Sequence, residues 1–590
     1  MAFKNSVVIF SLIIILSLFP LSSPLHYQHH HHFRPPGIVP SAASLSTFLP
    51  QITPSPAPAA VSGGGEWTLL HRSVGISAMH MQLLYNNKVV IFDRTDFGPS
   101  QIILPFGKCR HNDEAIPEDC TAHSILYDVA TNTYRPLMVQ TDVWCSSGAV
   151  TSDGRLVQTG GYHGGDHKIR LFTPCEDELC DWIELSQSLA VQRWYSSDHI
   201  LPDGRVIVVG GRRAFSYEFF PKNQDSSKNG VFYFPFLIET TDPKEENNLY
   251  PFLHLLPDGN LFVFANRRSV LLDYKKNRVL REYPVIPGEK RNYPATGSSV
   301  MLPLRLHPGG VDGPQRISAV EVMVCGGARG GAHMMAAEGV YVAASRSCGR
   351  LRVSDPDPRW RMEAMPVGRV MPDMLILPNR DVIILNGAER GTAGWESAED
   401  PVLNPVLYRP SEPDPSKRFT VLNPTTIGRL YHSAATLLPD GRILVGGSNP
   451  HVQYNFTGVK YPTELSLEAF SPPYMGSEYA YMRPSIMSVE GSTESLIVSY
   501  DQKFSITFSL MQPEGECTVT MVAPSFTTHS FAMNQRLLVL YVAGVQQTSS
   551  LTHRITVRAP PTANVAPPGY YMVFVVHQGV PSQCAWIRIK

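Results

Sequence analysis

Pairs of short apolar runs, each pair broken by a turn sequence, recur along most of the chain. Clear copies occupy 147–161, 197–211, 252–266 and 433–447, as in His199-Ile200-Leu201-Pro202-Asp203-Gly204-Arg205-Val206-Ile207-Val208-Val209. Asp-Gly between two apolar runs is the strongest short-range signal for a β-hairpin. Two copies, 79–94 and 371–387, are degenerate, with Asn86-Asn87 and Asn379-Arg380 at the turn. A seventh, 298–327, has its turn expanded into the Pro- and Gly-rich segment 303–316. A β-sandwich with incidental Asp-Gly hairpins does not explain seven in order. The pattern predicts an all-β fold, a seven-bladed kelch-type β-propeller over 66–480 built from repeats of roughly 50 residues.

From about Arg483 the pattern changes to separated β-rich runs, among them Phe504-Ser505-Ile506-Thr507-Phe508, Cys517-Thr518-Val519-Thr520-Met521-Val522 and Tyr570-Tyr571-Met572-Val573-Phe574-Val575-Val576. This spacing predicts a C-terminal immunoglobulin-like β-sandwich over 481–590. Ahead of the repeats, Lys4, an apolar run from Val7 to Phe19 and Ser22-Ser23 form the three parts of a secretory signal peptide, 1–24. Pro20 ends the run before the roughly 20 apolar residues a membrane span needs. Residues 25–65, with His29-His30-His31-His32, Pro54-Ser55-Pro56-Ala57-Pro58 and Gly63-Gly64-Gly65, have the composition of a disordered linker.

Charge removes some partners. With 50 Lys+Arg against 51 Asp+Glu the net charge is −1, and no basic block is present, so neither nucleic acid nor an anionic membrane is expected. The sequon Asn455-Phe456-Thr457 predicts an N-glycan at Asn455 of an extracellular, monomeric protein of the cell wall or apoplast.

Nine cysteines in a secreted chain should mostly pair. Sequential pairing gives 109/120, 175/180, 325/348 and 517/584, which leaves Cys145. That residue stands eight positions before Asp153, as Tyr195 does before Asp203 and His432 before Asp440. Tyr431 adjoins His432. The entry to each hairpin lies opposite its turn, so these side chains share one end of the propeller, where inner strands converge on the axis. Nitrogen and oxygen donors of His and Tyr suit Cu(II). Copper cycles by one electron, whereas oxidising an alcohol or aldehyde removes two. A tyrosine is the candidate second store, and an adjacent cysteine could tune it by covalent attachment.

Trp144-Cys145-Ser146-Ser147-Gly148, Arg193-Trp194-Tyr195-Ser196-Ser197, Arg429-Leu430-Tyr431-His432-Ser433 and Thr528-His529-Ser530 resemble, in order, the site motifs of the copper radical oxidases, closest to the plant glyoxal oxidase-like proteins. The resemblance spans 66–590. It implies one copper ion, a Cys145–Tyr195 thioether that forms the radical, Tyr431 as axial ligand and proton acceptor, and His432 and His529 as equatorial ligands. It further implies that a hairpin of the C-terminal domain carries His529 up the central channel; read by itself, His529 is a packed strand histidine. The implied reaction converts small aldehydes such as glyoxal and methylglyoxal to carboxylic acids while O2 becomes H2O2. Two positions depart from galactose oxidase. Arg213 stands where a tryptophan covers the radical tyrosine, and Pro251 follows Tyr250 where a sugar-binding arginine would stand. Both disfavour galactose. The alternatives are an alcohol oxidase acting on cell-wall carbohydrate and a non-catalytic kelch-type binding module.

Overall fold

The computed structural model describes residues 63–590 apart from 112–113, 178, 223–229, 310–312, 491–495 and 513. The expected signal peptide, the histidine run and nearly all of the linker lie outside the described residues.

Seven antiparallel units of four strands follow one another along the chain, the first of them within a six-stranded sheet. Their innermost strands are, in order, His80–Leu83, Ser147–Val150, Ser196–Ile200, Phe252–Leu255, Gly297–Met301, Asp373–Ile376 and Ser433–Leu437. These are the inner strands of blades 1 to 7. Each second strand, such as Val206–Gly210, is buried on both faces because blades pack face to face, which explains its uninterrupted apolar sequence. Outer strands such as Arg278–Glu282 are mostly exposed and correspondingly polar. The ring closes through its first strand, Glu66–His71, which pairs with Leu467–Ser471 and completes blade 7.

Buried arginines brace four blades at the end opposite the turns. Arg193, Arg291, Arg369 and Arg429, each just ahead of an inner strand, donate to the carbonyls of Gly210, Gly326, Asn386 and Gly447 at the ends of second strands. Two of them also pair with buried carboxylates, Arg193 with Glu218 at 3.0 Å and Arg429 with Glu468 at 2.8 Å.

The C-terminal domain is a two-sheet sandwich. One sheet joins Ser485–Val489, Lys503–Ser509, Thr552–Arg558 and Tyr541–Gln547; the other runs through Leu496–Val498, Ala585–Ile589, Gly569–His577, Cys517–Ala523 and Arg536–Val539. It sits against the Asp-Gly turns, closely at Gly259 (φ 83°), where a Cβ would stand 2.8 Å from the side chain of Asn564. The expanded turn of blade 5 is a tongue, not a loop. Its strand Leu304–His307 pairs in parallel with Arg536–Val539 and extends the sandwich sheet.

One expected pairing fails. Disulfides join Cys109–Cys120, Cys175–Cys180 and Cys325–Cys348, but Cys517 and Cys584 are free, as is Cys145. Cys517 faces His577 across one edge of the strand Gly569–His577, while Ala585 faces Val573 across its other edge. Two strand spacings of about 4.8 Å separate the two cysteines, beyond the roughly 4.4–6.8 Å between Cα atoms that a disulfide spans.

The sandwich also sends a hairpin, Phe526–Thr528 and Phe531–Met533, into the propeller axis, where it pairs with the inner strand of blade 1 (His80 opposite Thr528). Its base is bolted to inner-strand backbone. Asn534 accepts from Ile200 N at 2.7 Å and donates to the Gly148 carbonyl at 3.1 Å, and Gln535 accepts from Ile376 N and donates to the Met374 carbonyl.

Candidate metal centre

In six of seven blades the chain enters the inner strand through a non-glycine residue with positive φ: Cys145 (53°), Tyr195 (66°), Tyr250 (49°), Thr296 (34°), Met371 (57°) and His432 (59°). Left-handed backbone is uncommon for such residues and costs of order 1 kcal/mol each, so the packing around them holds it in place. The ring of kinks sits at the axial end of the blades. Tyr250 belongs to the frame already described, eight residues before Asp258, and Met371 stands eight before Asn379.

Through the middle rises His529, at the tip of the axial hairpin. The tip is a two-residue turn, His529 at φ 43° and Ser530 at φ 68°, the type I′ geometry that matches strand twist. The Thr528 hydroxyl holds Nδ1 of His529 at 2.7 Å, and Nε2 lies 3.2 Å from Cys145 Sγ. Fixing one ring nitrogen aims the other, as partners of metal-binding histidines do.

Cys145, His432 and His529 present ligand atoms within 4.8 Å of one another, and all three are buried. His432, only 3% exposed, has no hydrogen-bond partner among the described residues at either ring nitrogen. Burial holds the His432 and His529 imidazoles well below their ordinary pKa. They are therefore neutral, with a lone pair free for a cation. Burial also pushes the Cys145 thiol up, opposed by hydrogen bonding from Tyr195 and, further down, from Tyr431. The unpartnered imidazole of His432, beside a second neutral imidazole, phenols and a thiol, fits a bound transition metal.

The phenols form a chain. Tyr195 donates to Tyr293 at 3.1 Å, and the Tyr293 and Tyr431 hydroxyls lie 2.9 Å apart. Burial raises all three above the usual phenol range. The Tyr250 hydroxyl donates to the Ser146 carbonyl, and its ring stacks 5.0 Å from His529. The fold thus brings together all five residues singled out in the sequence: Cys145, Tyr195, Tyr431, His432 and His529. Sequence reasoning missed Tyr293, which lies off the repeat frame and carries no signal, and His80, whose Nε2 meets Ser146 Oγ at 3.2 Å. At the expected cover position, Arg213 is exposed; the ring over Tyr195 is that of Trp194, 4.7 Å away, with the Arg212 guanidinium 5.3 Å from Trp194.

Residues 79–474 match the family described as Glyoxal oxidase N-terminus, and 483–589 match Galactose oxidase-like, Early set domain. The chain belongs to the glyoxal oxidase family. An aldehyde oxidase of Arabidopsis thaliana is 46% identical to this glyoxal oxidase family member over 533 residues, covering 89% of this chain and 84% of the relative. An aldehyde oxidase of Vitis pseudoreticulata is 45% identical over 530 residues, 89% of this chain and 97% of the relative. A galactose oxidase of Gibberella zeae is more distant, at 24% over 76% of this chain and 61% of its own length. Among solved structures, a fungal alcohol oxidase in complex with copper shares the fold with TM-score 0.67 at 19% identity, covering 89% of this chain and 99% of that one. The family is one of oxidoreductases.

Proposed function

We propose that the protein is a copper radical oxidase that converts small aldehydes to carboxylic acids, RCHO + H2O + O2 → RCOOH + H2O2. The reading is carried by one observation: His432, buried with both ring nitrogens unpartnered, beside His529, Cys145 and two tyrosines. Tyr195, Tyr431, His432 and His529 would hold the copper, which when bound supplies one-electron redox chemistry. Cys145 and Tyr195 would form a thioether, the thiol and ring hydrogens passing with two electrons to O2, and the modified Tyr195 is the second one-electron store.

In this reading the substrate is the aldehyde hydrate. Tyr431 takes the proton of one hydroxyl, oxidised Tyr195 takes a hydrogen atom from the carbon, and the remaining electron would go to the copper when bound. Tyr293, bonded to both hydroxyls, fixes their separation. All of these groups come from one chain, in keeping with action as a monomer. Three disulfides support an oxidising, extracellular location, and the sequon at Asn455 is its glycan site. Among the described residues no helix is long and apolar enough to cross a membrane.

Copper-loaded, oxidised protein should release peroxide from methylglyoxal and glyoxal much faster than from galactosides, and peptide mass analysis should show Cys145 and Tyr195 joined with loss of two hydrogens. Faster turnover of galactosides would instead assign an alcohol oxidase. No peroxide from any aldehyde or primary alcohol would refute the oxidase reading.

A further inference from the structure

Beside the centre lies a group of hydrogen-bond donors with nothing to donate to. Arg94 is 2% exposed. Its Nε and Nη2 grip Asp96, but Nη1 has no partner. The indole N–H groups of Trp144, Trp194 and Trp395 are likewise buried and unpartnered. The four side chains form one cluster: the Arg94 guanidinium carbon lies 4.3 Å from the Trp144 ring and 4.8 Å from Trp395, and Trp144 packs 4.9 Å from Trp194 and 5.1 Å from Trp395.

Proteins seldom bury a polar donor without an acceptor, because each costs about 1–3 kcal/mol. Four in one cluster mark a place where an acceptor arrives. The location fits a substrate. Trp144 and Trp194 immediately precede Cys145 and Tyr195, and the Arg94 charge acts on both Cys145 and His432. Trp395 lies in the turn between the strands Ala388–Gly391 and Ala398–Pro401 of blade 6. From the same turn, Ala393 lines a small cavity with Met371, Tyr431, His432 and His529.

Charge decides what kind of acceptor. Asp96 already neutralises Arg94, and the Asp142 carboxyl beside them keeps one oxygen unpartnered. The cluster therefore carries no net positive charge to reward an anion. It suits a neutral oxygen, and Asp142 could take a proton from a hydroxyl on the same ligand.

We propose that Arg94, Trp144 and Trp395 form a donor subsite that binds a neutral carbonyl or hydroxyl oxygen on the carbon next to the one being oxidised, and so set the substrate preference of the centre. This rests on the aldehyde-oxidase reading. The test compares methylglyoxal with propanal, which has the same carbon skeleton without the second oxygen. In the copper-loaded enzyme, Trp395→Phe removes the N–H but keeps the ring, and Arg94→Lys keeps the charge but loses the fork. Each should lower the ratio of kcat/KM on methylglyoxal to that on propanal about tenfold, the scale of one lost hydrogen bond. An unchanged ratio in both variants overturns the proposal, since a merely structural role would depress both substrates alike.

A second measurement separates this from failure of the oxidase reading. In copper-free protein, tryptophan fluorescence titrated with butan-2-one, whose one oxygen is a neutral carbonyl, should show binding that weakens about tenfold in Arg94→Lys and in Trp395→Phe. Equal affinities in the wild type and both variants overturn the subsite even if no aldehyde is turned over.

Discussion

A buried imidazole with neither nitrogen bonded is a costly thing to keep, and at His432 both nitrogens are in that state. His529 differs, since Thr528 occupies its Nδ1 and leaves only Nε2 for the centre. Thr528→Val keeps the shape and removes that partner. It should weaken copper binding about 10–100-fold without unfolding the protein, measured by competition with a chelator. At this scale the sequence was informative wherever repetition helped. The distance to the Asp-Gly turn picked out Cys145, Tyr195 and His432, and applied once more it reaches Tyr250. His529 became legible through family resemblance, because its hairpin repeats nothing. Tyr293 had no signal of either kind: a tyrosine in a loop before a proline looks like any turn residue until the fold sets it between two other phenols.

The strand Ser196–Ile200 shows how the blades tolerate polarity in a packed interior. Burial raises the Asp198 carboxyl to about 7, against the hydrogen bonds from Ser147 and Thr159, and lowers neighbouring His199 to about 3. Their effects on stability oppose each other. Unfolding lets His199 take up a proton below its usual pKa of about 6.5, so its contribution is lost as pH falls. Unfolding lets Asp198 release one above about 4, so its contribution is lost as pH rises towards 7. Asp198→Asn removes only the second. The difference in unfolding free energy, variant minus wild type, measured by denaturant unfolding, should therefore become more positive from pH 4 to pH 7, by an amount of order 1 kcal/mol per pH unit. Among elements, hairpins announced themselves through Asp-Gly turns and continuous apolar strands. The edge strand Tyr541–Gln547, exposed along most of its length and interrupted by Gly544, offered no such pattern. The tongue at 303–316 could be seen as an insertion, but its pairing with a strand more than 200 residues away is set by tertiary contact alone. The failed pairing of Cys517 with Cys584 has the same origin: counting cysteines ignores the strand that runs between them.

For the whole molecule, the propeller and the sandwich work as one unit because Asn534 and Gln535 fasten the axial hairpin to three different blades. Asn534→Ala touches no residue of the centre. It should lower stability by about 1–3 kcal/mol, seen in denaturant unfolding, and also reduce copper affinity, because the support beneath His529 loosens. Undiminished affinity would show that the strand pairing with blade 1 is sufficient by itself. The arrangement also has a consequence for synthesis. A nascent chain can fold its blades as they emerge, yet the tip at His529 leaves the ribosome only after the inner strands of all seven blades. Until then the nearly finished ring lacks one of its two histidines. A truncated or stalled chain therefore never acquires the full set of groups needed to capture a redox-active ion, so incomplete products are built inert.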